Sequence, residues 1–243
     1  MAKLNPVFSG IRVEEGISEA ATVKGVALKT FILLGVALVS AFFSITYGAM
    51  FILNPVIYIL VMVGALVCGV VGQFSPGAAR TCGILYAVCE GAMLGLLSFL
   101  FEAAVGGVVL SAVLITFTIF GVMLFLYTSE IVKVNDRFMR IMYGLGLTIL
   151  IVSLVYLLSA LIAPGNMLIV ALTQNTGLLV LVSLFIIGYG AFMLAMDFEQ
   201  VKRIVANGFD KRYEWMAALG LMVTLVWIYV EVLRLLAILS DRD

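Results

Sequence analysis

The chain has 243 residues, 64% of them hydrophobic and 12% charged, with a mean hydropathy of +1.24. Soluble domains are ~25% charged and about half apolar, so this composition excludes an ordinary water-soluble globule and indicates an integral membrane protein. Fourteen basic residues balance fourteen acidic ones, which gives no overall pull toward nucleic acid, and there is no histidine. Ser-His and Cys-His catalysis, His-ligated metal and imidazole proton transfer are thereby excluded.

A helix needs ~20 apolar residues to cross a bilayer core. Seven stretches qualify: residues 25–47, 49–71, 81–101, 107–127, 141–162, 178–196 and 215–239. They are continuous apolar runs without the ten-residue alternation of barrel strands, so the expected fold is an all-α, seven-span bundle. Residues 1–24 are expected to form a cytoplasmic amino-terminal segment and 240–243 a short tail. The first residues lack the basic, apolar, small-residue order of a cleaved signal, and the first span is expected to serve as the insertion signal.

Lys29 lies about one turn inside the first span, where it either snorkels to the headgroups or pairs with Asp197. Near the start of the second span, Asn54-Pro55 fits a first-turn proline or a kink. The third span repeats small residues every four positions, at Gly83, Ala87, Gly91 and Gly95, which makes a close-packing stripe. Glu90 lies beside it, about 13 Å deep at 1.5 Å per residue. A charge there costs ~2.5–3.5 kcal/mol on insertion scales. Glu90 is therefore expected to face the bundle interior, as a pathway-lining acid or as a structural hydrogen-bonding group.

The sixth span carries Gly188, Ala191 and Ala195 and closes at Asp197, followed by Glu199. With an acid at the edge of each stripe, the third and sixth helices are expected to be central. In the seventh span Glu231 and Arg234 are three residues apart, close enough to pair. They form either a local ion pair or a latch on the outer half of a pathway. Cys68, Cys82 and Cys89 all fall inside spans and read as small packing residues.

The loops set the orientation. Lys3, Arg12, Lys24, Arg80, Lys133, Arg137, Arg140, Lys202, Arg203, Lys211 and Arg212 all fall on one side of a seven-span chain, and only Arg242 falls on the other. The positive-inside rule makes that side cytoplasmic, with the amino terminus inside and the carboxyl terminus outside. No phosphate-binding loop or soluble domain supports a nucleotide-driven pump. An intramembrane aspartyl protease needs two facing acids, and no second aspartate occurs in any span. No enzymatic activity, cofactor or resident metal is expected. The buried ionisable set is mostly carboxylate, which suits protons or a hard cation.

Several motifs resemble those of the Bax inhibitor-1/YccA family. Asn5-Pro6-Val7-Phe8 and Thr22-Val23-Lys24-Gly25-Val26-Ala27-Leu28-Lys29-Thr30 resemble the approach to its first helix, and the run from Tyr86 to Gly95 resembles its glutamate–glycine third helix. Met196-Asp197-Phe198-Glu199 resembles the end of its sixth, and the segments Glu214 to Ala218 and Val223 to Leu236 resemble the seventh in the YccA-like branch.

The resemblance implies six helices around a central one and a pH-sensitive calcium leak gated by a carboxylate pair near the cytoplasmic side. Asp197 matches one member, and the other falls at Thr224, where no acid stands. Glu231 is the candidate displaced partner, and Lys29 or Arg80 the candidate basic partner of Asp197. The resemblance also implies a bacterial inner-membrane location and, alternatively, a non-transporting regulator of a membrane-anchored ATP-dependent protease. The partners expected are the lipid bilayer and such a protease, with no nucleic acid and a monomeric state.

Overall fold

Apolar runs in lipid satisfy their backbone polar groups by forming helices. The computed structural model describes residues 19–162 and 175–240, and within them lie α1 (Val23–Leu53), α2 (Pro55–Phe74), α3 (Ala79–Ala104), α4 (Val108–Thr128), α5 (Asp136–Ile162), α6 (Thr176–Ala206) and α7 (Arg212–Ser240). All seven are long and apolar enough to cross a membrane. The bundle is a seven-helix membrane fold. The Asn5–Phe8 motif, most of the loop between the fifth and sixth spans and the last three residues of the tail lie outside the described residues.

Two boundaries differ from the sequence reading. The first helix does not end at Gly48 but continues to Leu53, and α2 begins at Pro55 after the single residue Asn54. A glycine inside an apolar helix does not end it, whereas proline brings no N–H to bond back to the preceding turn and fits the first position of a new helix. Asp197 does not close the sixth span either. Helix α6 runs on to Ala206, and an ion pair one turn apart, Arg203 Nε to Glu199 Oε1 at 2.9 Å, supports its last turns.

The centre is also not where the small-residue stripes suggested. Half of the most apolar stretch of α7 is buried, against 28% at most in any other span. Leu219, Met222, Ile228 and Leu233 of α7 are essentially inaccessible. Among the described residues five helices, α1, α2, α3, α4 and α6, pack around α7, and α5 lies outside them against α6 alone, so the arrangement is five around one where the resemblance implied six.

The α3 stripe instead joins α3 to α1. A Cβ built at Gly91 would lie 2.7 Å from Ala37 Cα, and one at Gly95 2.7 Å from Ala41 Cα, so only glycine permits this approach. Ala87 is fully buried in the core, and Gly83 lies against Leu33. The contact is locked by Ser40 Oγ donating to Val88 O and Ser44 Oγ donating to Ala92 O, both at 2.7 Å. In lipid, where apolar surface does not itself drive helices together, such packing and hydrogen bonds provide the association.

Candidate functional site

The ionisable residues gather at three places along α7. The first is its amino-terminal start. Thr22 caps α1, its hydroxyl accepting from Gly25 N–H at 2.9 Å. The Glu214 side chain, 1% exposed, reaches this cap and accepts from Thr22 N–H at 2.8 Å, from the Thr22 hydroxyl at 3.1 Å and from Lys29 Nζ at 2.5 Å. Gly25 leaves the space, since a Cβ there would fall on the carboxylate. An acid at a helix amino terminus is also favoured by the helix dipole.

Lys29 Nζ further donates to Lys211 O at 3.2 Å and lies 5.3 Å from the Trp215 ring centre, and the Arg80 guanidinium lies 5.7 Å from the same ring. Neither Lys29 nor Arg80 meets Asp197, which corrects that expectation. A Lys29 one turn into lipid needs a local counter-charge, and Glu214 at the start of α7 is closer to the interface than Asp197. The pairing of Glu214 with Lys29 was missed by sequence reasoning. Its signal was an acid in the first turn of a span opposite a lysine one turn inside another.

The segment before α1 is strapped to the same place. Ala21 N–H donates to Phe209 O at 2.8 Å and Lys211 N–H to Glu19 O at 3.0 Å, and the Lys211 and Glu19 side chains pair. The hydrogen bond and charge of Lys211 hold the Glu19 carboxyl below its ordinary range, and Glu19 correspondingly raises the Lys211 ammonium.

The second place lies deeper. Thr224 Oγ1 donates to Asp197 Oδ2 at 2.6 Å and sits 3.3 Å from Gly220 O. The single hydroxyl proton therefore points across the α6–α7 interface to the shorter acceptor. Thr224 is 7% exposed and Asp197 partly buried. The position where the family resemblance placed a second acid thus does face Asp197, with a hydroxyl in its stead. No basic side chain reaches Asp197 among the described residues. Glu231 is not its partner, since Glu231 lies seven residues beyond Thr224, about 10 Å further along the helix.

The third place is the far half of α7. Glu231 is 9% exposed, with Oε1 3.8 Å from Arg234 Nη1 and Oε2 buried without a hydrogen bond. The two do meet, loosely, with the Arg234 side chain 56% exposed. Nearby, Ser98 and Tyr229 hydroxyls are 2.8 Å apart and tie α3 to α7.

Two further acids stand away from α7. Glu199 accepts from Tyr127 OH at 2.8 Å and from Arg203, tying the carboxyl-terminal end of α4 to α6. Glu90 sits between α2 and α3, on a groove of about 510 Å³ that reaches Val223 of α7, and is only partly buried. Its neighbour Gly91 already faces α1, and one residue of helical rotation carries Glu90 round to the α2 side.

The fold and these sites define a multi-pass membrane protein with ionisable groups held between its helices. The model of the Bax inhibitor 1 like family matches residues 5–241, nearly the whole chain, and the protein belongs to that family. Neither the curated proteins nor the solved structures gave a match.

Proposed function

We propose that the protein is a passive, pH-sensitive leak for cations, calcium foremost, in a bacterial inner membrane, gated at Asp197. The observation that carries this reading is the 2.6 Å hydrogen bond from Thr224 to Asp197, the direct tie between an acid of α6 and the central helix. A hydrogen bond to an ionised carboxylate is roughly twice as strong as one between neutral groups. Protonating Asp197 weakens the tie and lets α6 part from α7, so flux rises as pH falls. A carboxylate exposed by that movement is a suitable oxygen ligand for a passing hard cation. Glu231 and Arg234 hold the outer half of α7 in the same scheme.

The test is calcium flux into proteoliposomes as a function of pH. Asp197→Asn, which cannot ionise, should give flux that no longer responds to pH between about 5 and 8. A variant with wild-type flux and pH response refutes the assignment.

A second reading is supported by the strap of residues 19–22 on the α6–α7 connection. In that reading the protein is a non-transporting regulator, of the YccA-like kind, whose amino-terminal segment is held against the cytoplasmic face to meet a membrane-anchored protease. Deleting residues 2–18 separates the two: a regulator loses association with its partner, and a leak keeps its conductance.

A further inference from the structure

Glu90 takes no part in the tie at Asp197, and its surroundings have their own chemistry. The groove it lines is walled by Leu66 and Val70 of α2 and by Tyr86 and Met93 of α3, with Val223 of α7 at its floor. Ligand pockets of 300–1,000 Å³ are mostly apolar with one or a few polar groups that fix orientation, and this groove of about 510 Å³ has that form. Its cytoplasmic end carries Gln73, one residue from the end of α2.

The Glu90 carboxyl has no hydrogen-bond or ion-pair partner among the described residues. Helix α2, the opposite wall, has no charged residue anywhere from Pro55 to Phe74. The nearest base along α3, Arg80, stands ten residues away, about 15 Å down the helix, and lies over Trp215. Among the described residues no side chain supplies a cation to this acid, so a positive charge there comes from an occupant.

Two classes of cation are available, and the groove favours one. Calcium takes six to eight oxygen ligands, while the side-chain oxygens lining the groove belong to Glu90, Gln73 and Tyr86 alone. An organic ammonium needs a single carboxylate and an apolar wall for its hydrocarbon part. The outer lip is open to the bilayer, with Leu66 and Val70 both exposed, so such a molecule could enter sideways from the acyl region.

We infer that the α2–α3 groove is a lateral binding site for a lipophilic amine, with its ammonium on the Glu90 carboxylate and its chain along Leu66, Val70 and Met93. The inference does not depend on ion flux, and its test reads binding only.

The probe is a dansyl-tagged dodecylamine, compared with the same molecule acetylated at its amine, titrated into the full chain in phosphatidylcholine nanodiscs and into empty discs. Saturable binding above empty discs, with the amine at least ten-fold tighter than the acetamide, is expected for the natural sequence. Glu90→Gln should bring the two probes to equal affinity, and Glu90→Asp should keep the preference. Leu66→Trp, at a lipid-facing position, should weaken both by filling the groove. Binding no greater than to empty discs, equal affinity of the two probes, or a preference that survives Glu90→Gln each overturns the proposal. The comparison of the two probes on the natural sequence requires no variant to fold.

Discussion

Replacing Lys29 by Met leaves the Glu214 carboxylate 1% exposed with only the two Thr22 donors. Removing one partner of a buried pair generally costs about 3–5 kcal/mol. The surviving Thr22 hydrogen bonds and the 12% exposure of the Lys29 side chain place this case at the lower end, about 3 kcal/mol. Glu214→Leu strands the ammonium instead. Lys29 can then lean toward the headgroups while keeping Lys211 O and the Trp215 face, so about 2 kcal/mol is expected. The double variant removes both charges and should cost no more than about 2 kcal/mol, because apolar replacement of a whole buried pair is often near neutral. The coupling in the double-mutant cycle is then about 3 kcal/mol.

Denaturation in mixed micelles, followed by tryptophan emission in a Trp227→Phe background that leaves Trp215 as the reporter, provides the assay, since that ring sits against Lys29. Single variants whose effects add in the double variant, or a Lys29→Met that costs under about 0.5 kcal/mol, would refute the clamp.

Two other expectations follow from the same geometry. Gly91→Ala puts a methyl group 2.7 Å from Ala37 Cα; overpacking of this kind costs about 1–3 kcal/mol. Gly35→Ala, with nothing within 4 Å, should be neutral or slightly stabilising by the same denaturation assay. The strap of residues 19–22 should depend on pH at both extremes. Glu19 is shifted down, so its contribution is present above the ordinary carboxyl range and is lost as pH falls through its lowered value. Lys211 is shifted up, so its contribution is present below the ordinary ammonium range and is lost as pH rises through its raised value. Amide exchange at Ala21, corrected for intrinsic rates, should therefore be flat between about pH 5 and 9 and rise outside that window, and Glu19→Gln, which removes the pair that shifts both groups, should weaken both limbs.

The spans were legible because bilayer thickness sets a length that apolar runs must meet, and all seven are present. The centre was not legible for a related reason. Lipid is as apolar as a protein core, so hydropathy does not separate lipid-facing helices from buried ones. Helix α4 is more apolar than α7 yet only 22% buried in its most apolar stretch, while α7 is the hub. The Gly83–Gly95 stripe announced a close contact without naming α1 as its partner, since small residues fix an approach distance and not an identity.

The candidate site was legible in parts. Depth alone marked Glu90 as costly, but the face it takes depends on helix rotation: Gly91 is fixed against α1, and that rotation carries Glu90 to the α2 groove. The match to a family pattern pointed to Thr224, and its contact with Asp197 crosses between helices. Lys29 and Glu214 are 185 positions apart, beyond the reach of any local spacing rule.

In the proposed gate the hydroxyl of Thr224 holds α6 closed on α7 while Asp197 is ionised. Calcium flux through Thr224→Val in proteoliposomes, measured from pH 5 to 8 beside Thr224→Ser, tests it most directly. Valine keeps the shape and removes the donor, so flux at pH 8 should rise toward the acid level of the natural protein and the pH profile should flatten, while serine should preserve both. A valine variant with unchanged flux and an unchanged profile would contradict the account.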